Sequence, residues 1–470
     1  MTHRAMELLV NLFWLLTVAV TAAHAAEPAT QTALDRYVKQ PDPSYRWTLV
    51  NTLPGKGFTT YVVDMTSQNW RTAADVDRTE WKHWLVVVKP DGARSNTAML
   101  FISGGKNGDQ APQKASEEVK ALALGSNSVV AQLGTVPNQP LVFCGDGQPR
   151  VEDDLIAYTW DKFLTTGDHT WIAQLPMTKS AVRAMDTVQA LLARPDAGKL
   201  DVQRFVVAGA SKRGWTTWLT AAVDRRVVAI VPIVIDVLNV QPSMLHHHAA
   251  YGFWAPAIGD YVRHRIPQRM GTPECLTLLQ TVDPYLYRDR LTLPKYLVNA
   301  TGDQFFLPDS SQFYFADLPG EKHLRYVPNA DHSLKDSDAL ESILAFYRAF
   351  LGGTPRPDFS WQLAPDGSIH VATKDKPQKV SLWQATAAKS RDFRLETIGP
   401  VFKNSPLLDQ GGGNYVAKVS PPANGWTAFF VELTYDSGGR EPFKFTTSVY
   451  VVPDVLPHKD LPISDKVQGN

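Results

Sequence analysis

The amino-acid sequence predicts an α/β protein: a doubly wound, mostly parallel sheet with a helical cap, followed by a small all-β sandwich. Three observations carry this. Short continuous apolar runs, such as Phe205–Ala208 and Val227–Ile235, suit strands buried on both faces of a parallel sheet. Helical patterns alternate with those runs, which places helices on both sheet faces. Beyond Gly352-Gly-Thr-Pro-Arg-Pro357 the helical patterns stop, and short alternating runs separated by Gly, Pro and Asn turns take over.

The chain has 470 residues, enough for roughly two or three domains, and 44% hydrophobic with 20% charged residues is ordinary globular composition. Equal basic and acidic counts of 47 give no basic stripe for nucleic acid and no polyanionic tail. Residues 1–25 read as a cleavable signal peptide: Arg4, the apolar run Leu8–Val20, then Ala23-His24-Ala25. The mature chain is expected to be periplasmic or secreted, with no stable membrane insertion after cleavage. Two domains should follow, 26–354 with a cap at about 238–291, and 355–470. Cys144 and Cys275 are the only cysteines; a bridge and two buried thiols are both open.

In chain order, Ala33–Gln40 reads as a short helix, and Thr59–Met65, Trp84–Val88 and Thr97–Ile102 as strands. Glu117–Leu124 is a helix and Ser128–Leu133 a strand. Two helices fit between Val151 and Ala197; in the second, Ala181, Val182, Met185, Val188 and Leu192 recur at helical spacing. The strand over Phe205–Ala208 gives way at Gly209-Ala210-Ser211 to a helix over Trp215–Val223. Further strands are Val227–Ile235, Lys295–Asn299 and His323–Val327. Asp338 with Glu341 has the form of a capping box opening a helix that runs to Leu351. The C-terminal runs are Ser368–Thr373, Val380–Ala385, Tyr415–Val419, Trp426–Leu433 and Phe443–Val452.

A serine on a sharp strand-to-helix turn, with glycines that let strand and helix approach, is a nucleophile elbow. A serine hydroxyl needs a base to take its proton and a third group to orient that base. In α/β-hydrolases these come in the order Ser, Asp/Glu, His, each at a strand's carboxyl end. Ser211, Asp303 and His332 meet that order. Gly-x-Ser alone carries little weight, and Asp236, ending the preceding strand, is a rival acid. The oxyanion is expected to be held by the Lys212 backbone N–H and by one from the Ser103-Gly-Gly-Lys106 turn, with Gly105 the candidate. Arg213 stands where the common Gly-x-Ser-x-Gly elbow has its second glycine. Lys212 and Arg213 either meet an anionic substrate or oxyanion or pair with acidic loops, and Arg213 is the candidate substrate contact.

The 238–291 segment carries Tyr251, Phe253, Trp254, Tyr261, Tyr285 and Tyr287, as befits a cap over a pocket. His246-His-His248 cannot share one helix face, so they read as cap surface or pocket lining. No metal or cofactor is called for. Trp70, Trp81 and Trp84 with His83 read as core and edge packing.

The stretches Met65-Thr-Ser-Gln-Asn-Trp-Arg71, Trp81-Lys-His-Trp84, Gly209-Ala-Ser-Lys-Arg-Gly-Trp215, Asp283-Pro-Tyr285, Asn299-Ala-Thr-Gly-Asp303 and Pro328-Asn-Ala-Asp-His332 resemble the PhoPQ-activated pathogenicity-related protein family. They span most of the mature chain. The resemblance implies an α/β-hydrolase fold and a bacterial envelope setting, linked to host-associated stress or antimicrobial peptides; it supplies no substrate. The Ser-Lys-Arg-Gly elbow also looks distantly like that of glucuronoyl esterases. Two functions are compatible with the chain. One is an exported serine hydrolase acting on a small-molecule ester or a peptide. The other is a non-catalytic secreted binding or signalling protein on the same fold, favoured only by the unusual elbow.

Overall fold

A computed structural model describes residues 31–468. The proposed signal peptide lies outside them. Among the described residues no helix is long and apolar enough to cross a membrane.

The chain folds around one large mixed sheet. Its strands are β1 (Arg46–Gly55), β2 (Phe58–Asn69), β3 (Glu80–Pro90), β4 (Thr97–Ile102), β5 (Val130–Leu133), β6 (Arg204–Ala210), β7 (Val227–Ile233), β8 (Lys295–Ala300) and β9 (Lys322–Val327). They lie in the order β1-β2-β3-β5-β4-β6-β7-β8-β9. Every pairing from β5 to β9 is parallel, and β1, β2 and β3 add antiparallel at the other end. Side chains of β6 alternate between two cores: Phe205 and Val207 join one, Val206 and Ala208 the other, all with no exposure. That is why the run is continuous rather than alternating. Each such large side chain contributes about 1.5–3 kcal/mol of burial, an upper figure because the unfolded chain is already partly collapsed.

The helices are α1 (Ala33–Lys39), α2 (Glu117–Ser126), α3 (Glu152–Thr166), α4 (Gln174–Leu192) and α5 (Lys212–Val223). Between β7 and β8 come α6 (Val240–Tyr251), α7 (Gly259–Arg263), α8 (Ile266–Arg269) and α9 (Pro273–Val282), within the segment expected to hold a cap. Next is α10 (Ala339–Gly352). Asp338 does sit at its N-cap, but its side chain makes no cap hydrogen bond. Its carboxylate instead accepts Arg325 Nη2 at 2.8 Å and Lys444 Nζ, so no capping box forms. Strand β1 escaped sequence reading because its few apolar residues are interrupted by polar ones and none of its residues is fully buried.

The C-terminal strands are β10 (Phe359–Leu363), β11 (Ile369–Thr373), β12 (Lys379–Ala387), β13 (Lys403–Pro406), β14 (Asn414–Ala417), β15 (Trp426–Tyr435), β16 (Phe443–Thr446) and β17 (Tyr450–Val452), with a single helical turn, α11 (Leu395–Ile398). They make two packed layers, but not a sandwich of their own. β16 pairs antiparallel with β9, and β15, β12 and β13 follow, so one layer continues the central sheet. The other is a three-stranded sheet, β10-β11-β14, whose Ile369, Val371 and Ala417 join a core with Val431, Leu433 and Phe445. Across the β9–β16 seam, buried Arg325 pairs with Glu432 of β15 as well as with Asp338.

Removing the C-terminal strands would open the β9 edge and leave Arg325 with one of its two carboxylates. Losing one partner of a buried pair costs about 3–5 kcal/mol. A chain ending at Gly353 is expected to be insoluble or to lose cooperative unfolding by circular dichroism; a soluble, cooperatively unfolding fragment would mark 26–354 as autonomous.

Candidate active site

The site begins at the turn that ends β6. Ser211 has φ 57° and ψ −129°, a conformation an L-residue holds at a cost of about 1–3 kcal/mol. Its N–H donates to the Ile233 carbonyl at 2.8 Å, and Trp215 N–H donates to its carbonyl at 2.9 Å. Strand and helix touch at two glycines. A Cβ on Gly209 would lie 2.7 Å from Arg213 O, and one on Gly214 would lie 2.8 Å from Gly209 O. The close approach is thus made at Gly214, one residue later than in Gly-x-Ser-x-Gly. The helix starts at Lys212, directly after the serine, rather than at the expected Trp215.

Asp303 and His332 follow β8 and β9. His332 Nδ1 and Asp303 Oδ2 are 2.7 Å apart. The other carboxylate oxygen accepts N–H bonds from Phe305 at 2.8 Å and Phe306 at 3.4 Å, which fixes the carboxylate's orientation. His332 N–H donates to Gln304 Oε1 at 2.9 Å. The ring stacks obliquely on Phe305, with centroids 4.4 Å apart. His332 Nε2 has no hydrogen-bond partner among the described residues. Ser211 and His332 are therefore not joined by a hydrogen bond in this structure, a looseness common in unliganded sites.

The rival acid is placed elsewhere. Asp236 accepts Tyr314 OH and Tyr326 OH, both at 2.6 Å, and touches no histidine. Burial, together with the charges of Asp303 and Asp309, outweighs these two bonds and pushes its carboxyl up to about 7.

The cations beside Ser211 are both paired. Lys212 Nζ lies 2.8 Å from Glu152 and 3.0 Å from Asp153. Arg213 donates from Nε to the Val136 carbonyl and from Nη2 to Glu152 Oε1, both at 2.6 Å. Arg213, the candidate substrate contact, does not line the cavity that Ser211 lines; its guanidinium is held by Glu152, the acidic-loop alternative. Glu152 itself has φ 52°, accepts Gln139 Nε2 at 2.6 Å, and donates its N–H to Gln139 Oε1 at 2.7 Å. Burial alone would raise the Glu152 carboxyl; the Arg213 bond and the two nearby cations outweigh it and hold it at about 2.

Of the two expected oxyanion donors, Lys212 is the first residue of α5, whose N–H has no intrahelical partner. Gly105 lines a different cavity, with Trp84 and Gln132, and not that of Ser211. Its turn is folded onto the following loop: Thr135 N–H donates to Gly104 O at 2.9 Å, and Gln139 Nε2 to Gly105 O at 3.2 Å.

The three histidines are all buried. His246 meets Asp309 at 3.0 Å, His247 accepts Ala255 N–H at 3.1 Å, and His248 lies 3.4 Å from Ser464 Oγ. Cys144 is exposed and Cys275 buried, both unbridged. Trp70 packs edge-on against Trp81 at 5.5 Å in the core.

Sequence reading missed Glu152, Gln139 and Asn329. Asn329, at φ 56°, exchanges two hydrogen bonds with the Phe402 backbone, 3.0 and 2.8 Å, and shapes the turn into His332. An asparagine three residues before the histidine was the only local hint.

Glu152→Gln would leave Lys212 and Arg213 short of one charge. Its lowered carboxyl stabilises the fold above the ordinary value of 4.5, and that contribution fades as pH falls toward 2. After screening, about 1–2 kcal/mol is expected at neutral pH. Thermal unfolding should show a lower midpoint for Glu152→Gln at pH 7, and a gap that narrows below about pH 4.5.

A family model described as PhoPQ-activated pathogenicity-related protein matches residues 34–394. The chain is 40% identical over 458 residues, 91% of each chain, to autocrine proliferation repressor protein A of Dictyostelium discoideum. Among solved structures it is similar to an acetyl xylan esterase from Paenibacillus sp. R4, with a TM-score of 0.46, 16% identity, and coverage of 67% of this chain and 92% of that one. A glucuronoyl esterase from Solibacter usitatus is similar at a TM-score of 0.39 and 16% identity, over 67% and 90% of the two chains.

Proposed function

Because the chain belongs to the PhoPQ-activated pathogenicity-related protein family, we propose that it is an exported serine hydrolase of the α/β-hydrolase type, cleaving an ester or peptide bond by acyl transfer. The observation that carries this reading is the 2.7 Å contact between Asp303 and His332, which leaves Nε2 as the free ring nitrogen. The strand order and the strained Ser211 support it.

In the first half-reaction Ser211 Oγ attacks the acyl carbon as its proton passes to His332 Nε2. Asp303, fixed by two backbone N–H groups, orients the imidazole and stabilises its cation. The Lys212 N–H at the helix N-terminus meets the oxyanion. Collapse breaks the bond to the leaving group, which takes the proton from His332. Water then repeats the sequence on the acyl-serine and releases the acid. The chain's leader, residues 1–25, fits a periplasmic or secreted address in an envelope-stress or virulence setting; an exported protein whose N-terminus is Ala26 would bear this out, and one retaining Met1 would not.

A second reading is that the fold serves as a non-catalytic secreted signal. The name of the Dictyostelium relative, an autocrine proliferation repressor, favours it. A fluorophosphonate probe separates the two. Labelling of the folded wild type, absent in Ser211→Ala, is expected, with a loss of turnover on the order of 10⁶. Asp303→Asn should cost about 10⁴, and Asp236→Asn far less. Unlabelled Ser211 in folded protein would leave the signalling reading standing.

A further inference from the structure

Ser211 and His332 line two different spaces, and Phe305 lines both. Ser211 lines a narrow cavity of about 60 Å³, and Phe305 is part of its wall. His332 lines a more open cleft of about 430 Å³, and Phe305 borders that too.

The narrow cavity is apolar. Val240, Met244, Ile258, Ile266 and Met270 reach it from the segment between β7 and β8, facing Trp160 and Trp215. Its charged side chains are already paired, and of its neutral ones Gln174 Nε2 and Ser211 Oγ alone have no partner among the described residues. Gln174 Oε1 accepts Trp160 Nε1 at 3.0 Å, Tyr261 OH donates to Asp153 at 3.0 Å, and Asp153 meets Lys212. A charged group placed there would lose water and find no unpaired counter-charge. The room is also small. A dry cavity that takes benzene measures about 150 Å³, and 60 Å³ is well short of that.

The cleft has the opposite character. Gln304, Asp331, Ser333 and Glu396 line it beside His332, and no lysine or arginine does. Glu396 is paired with Arg394 at 3.0 Å, which leaves Asp331 as the carboxylate that disfavours an anionic group at that position.

The chemistry assigns the two spaces. In a serine–histidine mechanism the acyl group stays on the serine, and the histidine hands its proton to the leaving group. Resting on the serine-hydrolase reading, we propose that the substrate carries a short aliphatic acyl group, of about two to four carbons, seated in the Ser211 cavity. Its leaving group is uncharged or cationic and lies in the His332 cleft. Phe305, which lines both spaces, lies where the two halves of the substrate join.

The test uses the purified mature chain at fixed ionic strength. Nitrophenyl acetate, butyrate and octanoate vary the acyl group; butyrate esters of a trimethylammonio-phenol and of a sulfonated phenol vary the leaving group's charge on one aryl scaffold. The expected kcat/KM falls at least about tenfold from butyrate to octanoate, one pocket misfit being worth 10- to 200-fold. Met270→Ala should restore octanoate relative to butyrate, and the sulfonated ester should be slower than the trimethylammonio ester. Octanoate hydrolysed as fast as butyrate, or the sulfonated ester outrunning the trimethylammonio ester, would overturn the proposal while fluorophosphonate labelling of Ser211 kept the hydrolase reading intact. Failure of Ser211 to label removes the hydrolase reading itself, and this proposal with it.

Discussion

The left-handed turn at Ser211 is the constraint from which the site's architecture follows. Strain of that kind persists only where the surroundings over-determine it. Here β6 is buried on both faces, α5 starts one residue after the serine, and Gly209 and Gly214 close the angle between them. Trp215 Nε1 donates to the Val282 carbonyl, which ties the first turn of α5 to the end of α9. The early helix start has an electrostatic consequence. It places Lys212 and Arg213 at the end of a helix where the backbone is already positive. Glu152 and Asp153 offset that charge, and Glu152 also grips Gln139, which in turn holds Gly105. One carboxylate thereby couples the elbow to two neighbouring loops.

The acids near the sheet's carboxyl edge show how one region sustains different roles. Asp303 is given two backbone N–H groups and His332. Asp309 is buried too, but Arg391 at 2.6 Å and His246 outweigh the burial and hold its carboxyl well below the usual range. Asp236 receives only two tyrosine hydroxyls and feels both other carboxylates, so it moves the opposite way. A group oriented by N–H donors suits work as a fixed anion; one held by neutral hydroxyls suits packing.

The parallel strands were legible because burial on both faces leaves an unbroken apolar run, as in Phe205–Ala208. Asp303 and His332 were legible because they follow such runs directly. What periodicity does not report is where a side chain goes after it leaves the backbone. Lys212 and Arg213 stand out as cations beside a serine, but their partner is sixty residues away and sits in the first turn of α3, an unremarkable acidic helix start. Gly105 was chosen for its lack of a side chain, and the turn it occupies folds onto Thr135 and Gln139 instead. Asp303 was the favoured acid and Asp236 its rival, each closing a strand; His332 meets Asp303, and Asp236 meets two tyrosines instead.

The C-terminal third was the least legible part, for a reason that bears on function. Alternating runs show that strands have two different faces, not which sheet they join, so 355–470 read as a unit apart. Its segments reach back into the first unit at several points. Leu395 N–H donates to Gly302 O at 3.0 Å, beside Asp303, and Phe402 closes both bonds with Asn329, ahead of His332. Arg391 enters the Asp309–His246 cluster. The last described residues cover Trp254: its ring N–H donates to Ser464 O at 2.7 Å, and its backbone bonds Lys466 and Gln468. Each of these bonds contributes only about 1 kcal/mol, but they fall on the loops that carry Asp303 and His332 and on the segment that walls the Ser211 cavity. The sheet beyond β9 is therefore part of what shapes the site, because the two polar loops at the ends of β8 and β9 take their form from residues more than sixty positions downstream.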